Sequence, residues 1–109
     1  MAIRSWIVQR ITAIFIIPII IYLVCYLMNI GALSYTEVKN DIISLPGMIF
    51  IIVSSFTIYM HSALGIEVVI EDYIHRVNLQ RFLVNISNIL HLILFLFTIS
   101  ALFIIVSNP

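Results

Sequence analysis

Two histidines inside apolar stretches are the residues of this 109-residue chain best suited to chemistry. His61 lies in an uncharged run that spans residues 42–66, and His91 lies in another that spans residues 82–109. Neutral imidazole coordinates iron well, and it also relays protons or hydrogen-bonds Ser and Thr residues of neighbouring helices. The spacing of His61 alone leaves these three uses open.

A line of small and polar residues is predicted on one side of the helix that carries His61. At about 100° per residue, Ser54, His61, Gly65, Val68 and Asp72 fall within about 40° of one line. Gly65 has no Cβ, so a flat ligand bound at His61 could lie close to the backbone. Asp72 is roughly 16 Å from His61 along the helix axis. This depth favours a position near the middle of a bilayer for His61 and a position at its surface for Asp72.

Four further side chains lie near the C-terminal end of the same helix. The phenol of Tyr73 can donate a hydrogen bond to a carbonyl of a bound ligand, although tyrosine and tryptophan (here Trp6) are also common interfacial anchors. Glu67 and Glu71 are one turn apart and face away from the His61 line. They are predicted to lie where the helix emerges into water, with a soluble partner or a Glu71–His75 pair as alternatives.

His91 belongs to a second polar group, which also contains Ser87 and Asn88. It is predicted at a depth similar to that of His61, about 20 Å from the inner membrane surface. A haem held between His61 and His91 is therefore conceivable from spacing. The alternative is that the group hydrogen-bonds neighbouring helices.

The composition requires lipid as the solvent for most of the chain. Hydrophobic residues make up 63% and charged residues 9%, against about 45–50% and about 25% in soluble domains. The mean hydropathy is +1.23. The zero net charge offers no basic surface for nucleic acid. The sequence contains no phosphate-binding loop or C-x-x-C motif, and Cys25 lies in an apolar run as a predicted structural thiol.

Three runs are long enough to cross a membrane as helices. The sequence predicts an all-α integral membrane protein, a single membrane-anchor domain over residues 1–109 with spans at about 11–30, 46–70 and 82–106. Ser44 is a predicted N-cap with Pro46 in the first turn of the second span. That span is expected to continue helically into the connector that follows.

The basic residues predict the orientation. Arg4 and Arg10 precede the first span, and Arg76 and Arg81 lie between the second and third, whereas Lys39 is the one basic residue of the opposite side. The positive-inside rule therefore places the N-terminus inside and the C-terminus outside.

The pattern H-x-x-x-G-x-x-x-x-x-x-D-Y, formed by His61, Gly65, Asp72 and Tyr73, resembles the signature of the membrane-anchor D subunit (small cytochrome b subunit) of succinate dehydrogenase. The segment Gln-Arg-Ile-Thr-Ala-Ile that starts at Gln9 resembles the Arg-x-Thr-Ala start of that family's first helix. Chain length, three spans and orientation also fit, so the resemblance covers nearly the whole chain.

The resemblance implies a role for five residues. His61 corresponds to one axial ligand of a b-type haem whose other ligand comes from the sister anchor subunit. Tyr73 corresponds to a ubiquinone-site residue, and Asp72 would support that site by orienting an Arg or Ser of the sister subunit. Arg10 is expected either to bind the haem propionates or to anchor the chain at the inner surface. Gly65 is expected to pack closely on the haem.

The resemblance also implies partners and a function. The chain would dock a flavoprotein subunit and an iron–sulfur subunit, share haem b with a sister cytochrome b anchor, and contribute to ubiquinone reduction. It would be a subunit of succinate:quinone oxidoreductase without activity of its own, in a bacterial cytoplasmic membrane rather than a mitochondrial inner membrane. The family pattern of one ligand per anchor disfavours His91. The alternatives are a quinol:fumarate reductase anchor and a haem-free, three-span structural or pore protein.

Overall fold

The computed structural model describes residues 2–108, which form four α-helices and one short 3-10 helix. These are α1 (Ala2–Met28), the 3-10 helix (Ile30–Ala32), α2 (Tyr35–Ile43), α3 (Leu45–Tyr73) and α4 (Val77–Ser107). Three segments, Ile3–Met28, Leu45–Tyr73 and Val77–Ser107, are long and apolar enough to cross a membrane. The prediction of an all-α protein with three spans is confirmed. Residues 1 and 109 of the predicted domain lie outside the described range.

The helices extend beyond the predicted spans. The first span was predicted to start at residue 11, but α1 begins at Ala2 and includes Arg4 and Arg10. Charged residues mark the end of an apolar run, and a helix can continue past that point because its backbone hydrogen bonds do not depend on lipid. The predicted continuation of the second span is confirmed, since α3 ends at Tyr73. The second connector therefore has only three residues, 74–76.

The first connector contains a helix that was not predicted. Ser34 begins α2 with a capping box, in which its hydroxyl accepts from the Glu37 N–H at 3.1 Å and the Glu37 carboxylate accepts from the Ser34 N–H at 3.0 Å. These reciprocal bonds satisfy amide groups that a helix start leaves unpaired. The predicted cap at Ser44 is confirmed, because its hydroxyl accepts from the Gly47 N–H at 3.2 Å and Pro46 lies in the first turn of α3.

α3 packs against both α1 and α4, and α2 covers one end of the bundle. Two hydrogen bonds fix α2 there. The Tyr26 hydroxyl on α1 donates to Asp41 Oδ2 at 2.7 Å, and Lys39 Nζ donates to the Asn108 carbonyl oxygen beyond α4. The described chain measures 52 × 26 × 22 Å, and its long dimension is sufficient for a bilayer and its headgroups.

Small hydroxyl residues are among the most buried side chains of the helix bundle. The buried polar residues are Ser54, Thr57 and Ser87, whereas the buried apolar residues among those described are Ile19 and Leu102. Small residues let helix backbones approach closely in a membrane, where burying apolar side chains brings little gain over lipid contact. The exposed apolar surface is therefore suited to contact with lipid.

The turn between α3 and α4 is closed by one glutamine. Gln80 Nε2 on α4 donates to the carbonyl oxygen of Ile74 at 2.9 Å and to that of Glu71 at 3.4 Å. Carbonyls at a helix end lack intrahelical partners, so these bonds stabilise the end of α3. The alternative pairing of Glu71 with His75 required a continuous helix. α3 ends at Tyr73, so this i, i+4 arrangement does not form.

Candidate functional site

His61 faces α1 and forms a hydrogen bond with it. Its Nδ1 lies 2.9 Å from Oγ1 of Thr12, and both residues are half-buried. The prediction that His61 hydrogen-bonds a residue of another helix is thus confirmed. This contact occupies only one of the two ring nitrogens, and so it does not compete with ligation through the other.

The second nitrogen of His61, Nε2, has no hydrogen-bond partner within residues 2–108. In the same part of the chain, no fully buried side-chain nitrogen or oxygen lacks a hydrogen-bond partner. Nε2 is therefore not fully buried. A nitrogen placed in this way can bind a group supplied from outside the chain.

Gly65, one helical turn after His61, lies beside α1. A Cβ built on Gly65 would be 3.6 Å from Nε2 of Gln9, which is an ordinary van der Waals distance. The predicted polar line is thus covered by α1 around His61 and Gly65. Its last two members, Val68 and Asp72, are exposed.

Asp72 and Tyr73 are the last two residues of α3, and both are exposed. Tyr73 has 80% of its surface accessible, and its phenol makes no hydrogen bond within the described residues. The bonds from Gln80 hold this helix end in place. Both side chains are therefore accessible at a helix end whose backbone is held by Gln80.

Arg10 stacks on Trp6 near the start of α1. The guanidinium carbon lies 5.3 Å from the centroid of the indole ring, within the range of a cation–π interaction. Both residues are exposed. The arrangement fits an interfacial anchor at Trp6, and it leaves the N–H groups of Arg10 accessible to an anion.

His91 differs from His61 in that both of its ring nitrogens have partners. Nδ1 lies 2.7 Å from the Ser87 carbonyl oxygen, and Nε2 lies 2.9 Å from the Ser62 hydroxyl on α3. A carbonyl oxygen only accepts, so Nδ1 carries the proton and Nε2 accepts from Ser62. The predicted hydrogen bonding to a neighbouring helix is confirmed for His91, which contacts Ser62, whereas Ser87 bonds His91 within α4 and Asn88 is exposed.

A cleft between α3 and α4 opens beside His91. Its volume is about 220 Å³, and it is lined by Phe56, Tyr59, Met60, Ala63, Asn88, His91, Leu92 and Phe95. Pockets for drug-sized ligands are larger, at about 300–1,000 Å³. The cleft and the occupied ring nitrogens both argue against a haem at His91 within this chain.

Two contacts of the site were not predicted. Thr12 belongs to the Arg-x-Thr-Ala segment that entered the resemblance, but no role was assigned to it, and Gln9 was not connected with Gly65. The sequence signal for Thr12 was a hydroxyl residue within the apolar part of the first span. Its pairing with His61 depends on how α1 and α3 are rotated about their axes.

Glu67 is half-buried and Glu71 is exposed, as expected for a helix that emerges from lipid.

Comparison with known proteins places these features in a family. The family model for the succinate dehydrogenase/fumarate reductase transmembrane subunit matches residues 2–106. No curated protein matches the chain. The match covers all three membrane-spanning helices, together with His61, Asp72 and Tyr73. The chain belongs to the family of succinate dehydrogenase/fumarate reductase transmembrane subunits.

Proposed function

We propose that this chain is the small cytochrome b anchor of a succinate:quinone oxidoreductase. Residues 1–109 act as a single membrane-anchor domain. It docks the flavoprotein and iron–sulfur subunits, pairs with a sister cytochrome b anchor, and has no activity alone. The proposal rests on the family match and on one feature of the site, which is that Nε2 of His61 has no hydrogen-bond partner within residues 2–108.

In this proposal His61 is the axial ligand that the chain gives to a haem b. A haem shared by two anchor subunits would need one imidazole from this chain, and Nε2 of His61, which has no partner within residues 2–108, would supply it. The bound haem would supply one-electron redox chemistry. The chain would provide the ligand and its orientation.

Asp72 and Tyr73 are proposed to form this chain's part of the ubiquinone site. The Tyr73 hydroxyl donates to a quinone carbonyl, and the Asp72 carboxylate accepts from a side chain of the sister anchor. The exposure of both residues at the end of α3 supports this role. Their position at a helix end also gives the quinone headgroup access to protons from water.

Arg10 and Gly65 complete the proposed haem environment. The guanidinium suits a haem propionate through paired hydrogen bonds; anchoring at the inner surface is the alternative role. Gly65 is proposed to allow the porphyrin close to the α3 backbone. The contact of Gly65 with Gln9 offers a competing role in helix packing.

The proposed location is a bacterial cytoplasmic membrane, with the N-terminus inside and the C-terminus outside. The distribution of four arginines against Lys39 supports this orientation. In it, Tyr73 lies at the cytoplasmic surface, on the side where the soluble subunits would dock. A quinol:fumarate reductase anchor uses the same chemistry in reverse and is the nearest alternative.

The deciding experiment compares His61→Ala with His91→Ala in the complete complex. Reduced-minus-oxidised spectra should lose the b-type signal in His61→Ala and keep it in His91→Ala, with comparable amounts of assembled complex. A signal that persists without His61 would refute the ligand assignment. A wild-type complex without any b-type signal would favour the haem-free structural or pore alternative.

A further inference from the structure

We propose that Thr12 is the positioning residue for His61. Its hydroxyl accepts the Nδ1–H of the imidazole and so fixes the tautomer in which Nε2 is unprotonated and free to bind iron. The inference rests on the proposed haem ligation by His61. It assigns a role on α1, whereas the ligand itself lies on α3.

A proton count supports this direction of the hydrogen bond. Thr12 Oγ1 lies 2.8 Å from the Val8 carbonyl oxygen and 3.0 Å from the Gln9 carbonyl oxygen, besides 2.9 Å from His61 Nδ1. Both carbonyl oxygens only accept, and the hydroxyl has a single proton. If that proton points to the backbone, all these contacts are satisfied only when Nδ1 carries a hydrogen and donates it. Nε2 then holds the lone pair.

The acceptor is held in place by its own helix. A threonine that bonds the carbonyl of the preceding turn has a restricted χ1 angle. α1 and α3 also pack against each other one turn away, where the Gln9 side chain lies beside Gly65. Thr12 is thus a preorganised acceptor for His61 rather than one of several mobile hydroxyls.

The bond has a consequence for the metal. Ligating histidines generally donate their second N–H to an acceptor, which fixes ring orientation and raises ligand basicity, and loss of that acceptor lowers metal affinity about 10–100-fold. A more basic imidazole favours ferric over ferrous iron. Removing the Thr12 hydroxyl should therefore weaken haem binding and make the midpoint potential more positive. A tenfold loss confined to the ferric state corresponds to about 59 mV for one electron.

Thr12→Val and Thr12→Ser in the intact complex test the inference. Valine keeps the branched shape and removes the acceptor, whereas serine restores it. Thr98→Val is a matched control, because Thr98 Oγ1 donates to the Leu94 carbonyl oxygen at 3.0 Å and contacts the Tyr59 hydroxyl on α3 at 3.0 Å. This control loses an equivalent contact between α3 and α4, whereas His61 contacts α1.

The measurements are haem content per assembled complex, the redox midpoint of the b-type signal, and the low-spin ferric resonance. Thr12→Val should bind haem with about 10–100-fold lower affinity, so that less haem remains per assembled complex. Its midpoint potential should be more positive. Thr12→Ser should resemble the wild type, and Thr98→Val should leave the haem signals unchanged.

Unchanged haem content, midpoint and resonance in Thr12→Val would overturn the role of Thr12. Equal effects in Thr12→Val and Thr98→Val would do so as well, because they would reflect helix packing. Failure of the proposed function looks different. There, His61→Ala would retain the haem signal, or the wild-type complex would have none.

Discussion

Ser62 on α3 and His91 on α4 are joined by a 2.9 Å hydrogen bond between the serine hydroxyl and Nε2 of the imidazole. Together with the bond from Nδ1 to the Ser87 carbonyl oxygen, it occupies both ring nitrogens of His91. His61 and His91 therefore differ in their hydrogen bonding, although each is a histidine within an apolar run. His61 contacts another helix through one ring nitrogen and leaves the other without a partner within residues 2–108, whereas both ring nitrogens of His91 have partners.

Ser62→Ala should lower stability slightly and leave the haem in place. Interhelical hydrogen bonds in membrane proteins contribute on average about 0.6 kcal/mol and at most about 1.7 kcal/mol. Thermal or detergent-induced unfolding of the complex measures the loss, with Ser100→Ala, an exposed serine on α4, as the control. Unchanged stability in Ser62→Ala, relative to Ser100→Ala, would contradict the structural role of His91.

Tyr73→Phe should reduce quinone reductase activity at least several-fold and leave assembly and haem content intact. The substitution removes one hydroxyl from a side chain that is 80% exposed, so it should not affect folding. Succinate oxidation with an artificial dye, which bypasses the quinone site, serves as the control assay. An equal fall in dye and quinone activities would reject the assignment of Tyr73 to the quinone site.

Arg10→Gln separates propionate binding from membrane anchoring. A hydrogen bond to a charged group contributes about 1.5–3 kcal/mol, so loss of a propionate contact should weaken haem retention by roughly tenfold or more. Arg4→Gln removes an arginine from the same end of α1 and is the matched control. If both variants lower only the amount of inserted protein, Arg10 is an anchor and has no role at the haem.

Gly65→Ala tests close packing of haem on α3. The added Cβ would meet Gln9 at an ordinary 3.6 Å, so α1 and α3 should stay together and the complex should assemble. If the porphyrin lies against this backbone, the haem content or the b-type spectrum should nevertheless change. A wild-type spectrum would assign Gly65 to helix packing with Gln9 alone.

Single cysteines test the orientation. In a Cys25→Ser background, Asn108→Cys and Asn78→Cys place thiols at opposite ends of α4, and both positions are exposed. A membrane-impermeant thiol reagent added to intact cells should label position 108, whereas position 78 should require permeabilised cells. The reverse pattern would place the N-terminus outside and contradict the positive-inside prediction.

Features that depend on local chemistry were predictable from the sequence. The cap at Ser44 and the helical course of the chain from His61 to Tyr73 were both predicted and are present. The predicted start of the first helix was less accurate, and the helix includes Arg4 and Arg10. Charged residues mark the end of an apolar run, but they do not mark the end of the helix's backbone hydrogen bonds. The helix α2 was missed, although the Ser34–Glu37 spacing of its capping box is visible in the sequence.

The sequence by itself determined three helices long and apolar enough to span a membrane, with His61 within the second of them and Asp72 and Tyr73 near its end. These features follow from the length of the apolar runs and the regular rise of a helix. Only the tertiary structure decided that His61 contacts Thr12 and that His91 contacts Ser62. In lipid, apolar residues cover the outside of the bundle as well as the inside, so hydrophobicity does not tell which face of a helix meets its neighbour. The rotation of each helix about its axis therefore had to come from the packing of small and hydroxyl residues in three dimensions.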